Sequence, residues 1–138
     1  MRNEDIFIID ELKEKLKGFN LMECKWKDKI GTEHPFFYCK TSMKNIDVYI
    51  LPLCSYSNRI EIGFTVDNGG ELDKEEIEKT VNFFKTKTGI DLVGMNPEGK
   101  KITSIFVQYP EPFDLDDVVN VFKELNKDEV LKGIFPGK

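Results

Sequence analysis

Four short segments with strand-like alternation follow one another in the first half of the chain. The clearest is residues 59–66, in which every even-numbered position is apolar: Ile60, Ile62, Phe64 and Val66. Successive side chains of a strand point to opposite faces of its sheet, so this alternation indicates one apolar face. The other segments span residues 21–27, 35–41 and 46–53, separated by short polar turns. Strands grouped in this way predict an antiparallel meander rather than alternating βαβ units.

Two amphipathic helices are predicted to flank this group of strands. In residues 4–17 apolar side chains recur at helical spacing: Ile9, Leu12 and Leu16. The second helix is predicted to begin after Asp73, because Asp73 and Glu76 have the spacing of a capping box. Gly89 is predicted to end it, since glycine readily adopts the left-handed conformation found at helix C-termini.

The second half of the chain is predicted to add a strand hairpin and a last helix. Residues 90–93 and 101–109 are strand-like, and residues 96–99 match a type I turn. Asp114 is a plausible N-cap for the third helix. Residues 127–138 are predicted to form a tail that adds at most one helical turn.

The element order is therefore helix, four strands, helix, two strands, helix. It predicts a single α+β domain over residues 1–138, with a mostly antiparallel sheet of about six strands and three helices. This order resembles the secretion-chaperone-like α/β fold, although the meander has four strands where three are usual. That family contains small acidic chaperones for secreted effectors, so the resemblance implies a chaperone-like role and names no site residues.

The charge of the chain bears on its partners and its compartment. The net charge is −5 and the two signs are interspersed, which argues against broad binding to nucleic acid or to an anionic membrane. Only four apolar residues follow the acidic N-terminus, at positions 6–9, and no apolar run approaches the ~20 residues of a membrane span. We therefore expect a cytoplasmic protein.

The cysteines and the single histidine do not have the spacing of a metal site. Cys24, Cys39 and Cys54 are far apart, no C-x-x-C is present, and His34 is the only histidine. His34 and Cys39 are five residues apart, so in one strand they are expected on opposite faces. We expect structural cysteines, no metal and no other cofactor.

One short motif raises an enzymatic alternative. Glu23 and Lys25 form the E-x-K pattern of many metal-dependent nucleases, in which carboxylates hold magnesium and a lysine assists the attacking water. Asp47 is the candidate for a further carboxylate. The simpler interpretation is that Glu23 and Lys25 belong to the solvated face of a strand, because E-x-K is frequent by chance.

Aromatic side chains are the most suggestive feature for function. They are concentrated on the middle of the meander: Phe36, Tyr38, Tyr49 and Tyr56. Tyrosine is favoured at protein interfaces because it buries apolar area and keeps a polar group. The competing interpretation is that helices cover both faces of the sheet and that these residues belong to the core.

The sequence thus favours a small non-enzymatic protein-binding module over the nuclease or hydrolase. A chaperone-like protein, an adaptor, an inhibitor or immunity protein, and a homodimer all fit this class. The inhibitor version would use acidic residues at 71–78 and 114–117 to face a basic partner. Replacing Tyr38 and Tyr49 by serine is predicted to weaken association and to leave the fold intact.

Overall fold

The computed structural model describes residues 3–27, 30–52, 59–90, 93–110 and 112–137. In these residues there are four helices: α1 (Asn3–Lys15), α2 (Lys74–Thr88), α3 (Leu115–Leu125) and α4 (Asp128–Ile134). There are six strands: β1 (Met22–Lys27), β2 (Glu33–Lys40), β3 (Ile46–Pro52), β4 (Arg59–Val66), β5 (Val93–Glu98) and β6 (Lys101–Pro110). The α+β class is confirmed, and the predicted number of three helices is wrong.

All six strands belong to one sheet with the order β1-β2-β3-β4-β6-β5. Every neighbouring pair is antiparallel, as the grouping of strands predicted. The β5–β6 hairpin joins the meander through β6, which pairs with β4. Strands β3, β4 and β6 therefore form the centre of the sheet, and β1 and β5 are its edges.

The capping signals of α2 are confirmed. The Asp73 carboxylate accepts a hydrogen bond from the Glu76 amide, and the Glu76 carboxylate accepts one from the Asp73 amide. Gly89 ends the helix with φ of 69°, the left-handed conformation that glycine adopts without a Cβ clash. Asp114 is likewise the N-cap of α3, accepting a hydrogen bond from the Asp116 amide.

The segment predicted to be a tail with at most one helical turn forms the seven-residue helix α4, which is held mainly by packing. Leu131 and Ile134 are buried, and the ring of Phe135 meets that of Phe64 on β4 edge to face, with centroids 5.2 Å apart. The segment expected to be a tail thus closes part of the core. None of the helices in the ranges given above is long and apolar enough to cross a membrane.

The β5–β6 hairpin also differs from its prediction. β5 runs from Val93 to Glu98, so the expected type I turn at 96–99 lies mostly within the strand, and Gly99 and Lys100 make the turn. Of the strand expected at 90–93, residues 91 and 92 lie outside the described part of the chain. Pro97 is tolerated because β5 is an edge strand and its register shifts between Asn96 and Pro97.

The helices pack against one face of the sheet. The main core joins Leu12 of α1, Leu16 directly after α1, Phe84 of α2 and residues of α3 and α4 to alternate residues of the central strands. Those strand residues are almost entirely buried: Ile46, Val48, Ile50, Ile60, Ile62, Phe64, Ile105 and Val107. The intervening residues of the same strands point the other way and form the second surface of the sheet.

Candidate functional site

The surface of the sheet opposite the helices, here called the open face, carries a separate set of side chains. It has a small apolar cluster of its own, and no helix residue of the described chain belongs to that cluster, since the apolar helix residues pack in the main core. A cavity of about 470 Å³, the open-face pocket, lies on it. Its described lining residues are Cys24, Phe36, Tyr38, Lys40, Asp47, Tyr49, Leu51, Glu61, Thr65, Asp67, Asn96 and Ser104. This volume is within the range of ligand pockets in proteins, about 300–1,000 Å³.

Three of the four aromatic residues predicted to form a binding surface lie together on this face. Tyr38 and Tyr49 are register partners across β2 and β3, and the rings of Phe36 and Tyr38 are 6.2 Å apart. Phe36 and Tyr38 are half-buried, whereas Tyr49 is only 8% exposed. The fourth, Tyr56, lies outside the described residues. A partner could therefore touch Phe36 and Tyr38 directly, while Tyr49 forms the floor.

Glu61 is a carboxylate with only 6% exposure in the middle of a sheet, and in the described structure no lysine or arginine pairs with it. The hydroxyl of Tyr49 donates a hydrogen bond to its Oε2 at 2.7 Å, and Nε2 of Gln108 donates one to its Oε1 at 2.8 Å. Burial raises the pKa of Glu61, and these two hydrogen bonds oppose that shift. Burial and the neighbouring Glu61 likewise raise the pKa of Tyr49.

A second carboxyl group, Asp47, lies at the other end of the pocket and is 4% exposed. Burial raises its pKa to about 6, and a hydrogen bond and repulsion from Asp67 act in the same direction. Nζ of Lys40 is 3.5 Å from a carboxylate oxygen of Asp47 and 3.5 Å from one of Asp67, which partly offsets the shift. One lysine is therefore shared between two carboxyl groups.

The open face is shaped by two glycines beside Phe106. Gly63 is the register partner of both Tyr49 and Phe106, and a Cβ atom there would overlap the Ile105 carbonyl oxygen and the Cβ of Phe106. A Cβ atom at Gly94 would lie 2.5 Å from the Phe106 ring. Phe106 therefore lies against the sheet in space left by the glycines and packs with the aromatic cluster.

The nuclease constellation is not assembled. Glu23 pairs in register with Phe37, whose side chain is in the helix-covered core, whereas Asp47 is on the open face. Glu23 instead lies 3.4 Å from Lys13 of α1, and Lys25 lies 3.6 Å from Glu33. The expectation that Asp47 could approach Glu23 is wrong, because the alternation of strand residues sends them to opposite faces.

The two described cysteines have different surroundings. Cys39 is buried in the core with its Sγ 3.1 Å from Oδ1 of Asn126, and burial raises the pKa of its thiol to about 11. Cys24 borders the open-face pocket. His34 is on the opposite face of β2 from Cys39, as their spacing predicted, and Cys54 is outside the described residues. In the described ranges no three His, Cys, Asp or Glu side chains are grouped as metal ligands.

Sequence reasoning missed Glu61, Lys40 and Asp67. Glu61 was expected on the solvated side of its strand, since a glutamate alternating with apolar residues normally faces water. Asp67 was expected in the turn after that strand, and Lys40 was given no role. The one local signal was Gly63, because a glycine inside an otherwise regular strand often marks a close approach of another group.

As it stands, the pocket can hold a ligand between aromatic and anionic surfaces. Comparison of the chain with protein-family models, with curated proteins and with solved structures found no match.

Proposed function

We propose that this chain is a small protein-binding module that contacts its partner through the open face. The observation that carries the proposal is the placement of half-buried Phe36 and Tyr38 at a pocket on the sheet face away from the described helices. Binding energy in protein interfaces concentrates in aromatic side chains that line or fill pockets. The surface continues to Met22 on the edge strand β1, which is 37% exposed and is the register partner of Tyr38.

Chaperone-like, adaptor and inhibitor roles are versions of this function. In the inhibitor version, acidic residues near the starts of α2 and α3 would face the partner. Three of them already form helix caps: Asp73 and Glu76 cap α2, and Asp114 caps α3. The remaining acids of the two segments, among them Glu75, Glu78 and Asp117, and the carboxyl groups of the pocket would then face a basic partner. Strong weakening of association by salt would favour this version, because exposed charge pairs are screened.

The test combines light scattering of the purified chain with capture of proteins from its native host. We expect a stoichiometric partner or a dimer, and we expect the double substitution Phe36→Ser and Tyr38→Ser to weaken that association at least about tenfold, as loss of an interface hot spot does. Tyr49 is a poor choice for this test because it is buried and bonded to Glu61.

Phe83→Ser is the matched control, since Phe83 is also a half-buried aromatic but lies on α2, beside the main core. It should cost comparable stability and leave association unchanged. Association that survives the Phe36 and Tyr38 substitutions would rule out this surface as the binding site.

A further inference from the structure

The open-face pocket has an unbalanced charge at Glu61. Within the described chain, no lysine or arginine side chain lies within ion-pair distance of Glu61, whose only hydrogen-bond donors there are the neutral Tyr49 and Gln108. A buried carboxylate is costly unless a cation or strong hydrogen bonds compensate it. The two hydrogen bonds compensate the charge in part, and the nearby Arg59 guanidinium donates a hydrogen bond to Oε1 of Gln108 rather than to Glu61. A cation entering the pocket would add the direct ion pair that Glu61 lacks.

The single lysine of the described lining does not fill this role. Lys40 lies between Asp47 and Asp67, at 3.5 Å from each. The described lining therefore contains three carboxyl groups and one ammonium group, and of the three carboxyl groups only Glu61 has no lysine beside it. A cationic group complements this pocket electrostatically.

The walls of the pocket suit a cation carried on an apolar stem. Phe36, Tyr38 and Tyr49 offer aromatic surface, and Leu51 adds an aliphatic one. Aromatic faces attract ammonium and guanidinium groups, and the methylene stems of lysine and arginine pack well on apolar surface. Carboxylate, aromatic and aliphatic groups thus match the head and the stem of one basic side chain.

We propose that the open-face pocket receives a lysine or arginine side chain of the partner protein, with Glu61 as the carboxylate that meets its charged group. This inference rests on the proposed function. The occupant is a protein side chain rather than a small free cation, because exposed Met22 lies beside the pocket as the register partner of half-buried Tyr38, and a macromolecular surface would cover both.

The test is a titration of the ¹⁵N-labelled full chain with the pentapeptide acetyl-Gly-Gly-Arg-Gly-Gly-amide, its lysine analogue and its citrulline analogue. Citrulline has nearly the shape of arginine and no charge. We expect the amide signals of Tyr49, Glu61 and Ser104 to shift with the two cationic peptides, and we expect citrulline to bind at least about tenfold more weakly, which corresponds to about 1.4 kcal/mol. Equal binding of the citrulline peptide would overturn the inference.

Two substitutions with opposite expected effects locate the charge. Glu61→Gln should weaken the arginine peptide at least about tenfold, whereas Lys40→Gln should strengthen it, because a competing cation is removed. Glu23→Gln is the matched control on the other face and should change nothing. If Glu61→Gln does not fold, Lys40→Gln still tests the proposal. Binding of the arginine peptide that is weaker than in the wild type, or unchanged, would contradict it.

Two further outcomes separate this inference from the proposed function. Spermidine binding as tightly as the arginine peptide would overturn the assignment to a protein side chain. If the captured partner no longer binds when Tyr38 is replaced but binds the Glu61→Gln variant normally, the protein-binding function would be supported and the cation pocket refuted. Arginine-peptide binding without any protein partner or dimer would support the cation preference and count against the module.

Discussion

The two faces of the sheet are built from alternate residues of the same strands, yet their chemistry differs. On β4 the helix-covered face has Ile60, Ile62 and Phe64, whereas the open face has Glu61, Gly63 and Thr65. The first face buries aliphatic and aromatic carbon against helices. The second buries carboxyl and hydroxyl groups in a hydrogen-bonded network around a pocket. Stability and candidate function are thus assigned to opposite sides of one strand.

The comparison predicts a large difference between aromatic truncations on the two faces. Phe64→Ala should lower the free energy of unfolding by about 3–5 kcal/mol, because Phe64 is fully buried against Phe135. Phe36→Ala should cost about 1–2 kcal/mol, since Phe36 is only half-buried. Urea unfolding of both variants measures this, and equal losses would mean that the open face is part of the structural core.

Loss of a single tyrosine hydroxyl should also change the free energy of unfolding differently on the two faces. Tyr49→Phe removes one of the hydrogen bonds to Glu61 and should cost about 1–3 kcal/mol. Tyr109→Phe is the matched control on the helix-covered face, because within the described chain the buried Tyr109 hydroxyl has no hydrogen-bond partner. Its removal should be neutral or stabilising in the same unfolding assay. Equal costs for the two variants would contradict the Glu61 network.

The open face should also give stability a dependence on pH. The pKa of Asp47 rises from 3.8 to about 6 on folding, so the native state holds this proton more tightly than the unfolded chain does. The resulting stabilisation is complete below pH 3.8 and is lost as the pH rises through about 6.

Replacing Asp47 by asparagine removes this contribution. We therefore expect the stability of the wild type relative to Asp47→Asn to fall by about 1–2 kcal/mol between acidic and neutral pH. Urea unfolding of both proteins at several pH values measures the difference. A constant difference would show that Asp47 titrates normally.

The smallest effect is expected at the edge of the sheet. Glu23→Ala breaks the ion pair between Glu23 and Lys13. Both side chains are about half exposed, so the change in the free energy of unfolding should be less than about 1 kcal/mol. Thermal unfolding of the wild type and of Glu23→Ala, with and without magnesium or manganese, checks the nuclease arrangement. A metal-dependent stabilisation that Glu23→Ala abolishes would reopen it.

Local signals in the sequence determined most of the architecture. Period-2 alternation in residues 59–66, the Asp73–Glu76 capping box and the Gly89 stop depend on neighbouring residues, so they can be read along the chain. Alternation also indicated that Phe36 and Tyr38 share a face. These features gave the α+β class and five of the six strands closely, whereas β5 was displaced.

Only the tertiary structure decided the helix α4, the site and its electrostatics. α4 forms where Leu131 and Phe135 pack in the core, and its N-cap residue, Lys127, makes no side-chain capping hydrogen bond that the sequence could have indicated. The surroundings of Glu61 come from Tyr49, twelve residues away, and from Gln108, forty-seven residues away. Alternation states which side chains share a face, but which face the helices cover depends on packing between distant segments. For that reason Glu61, which the sequence pattern placed on a solvated face, is instead a buried carboxylate in the wall of the pocket.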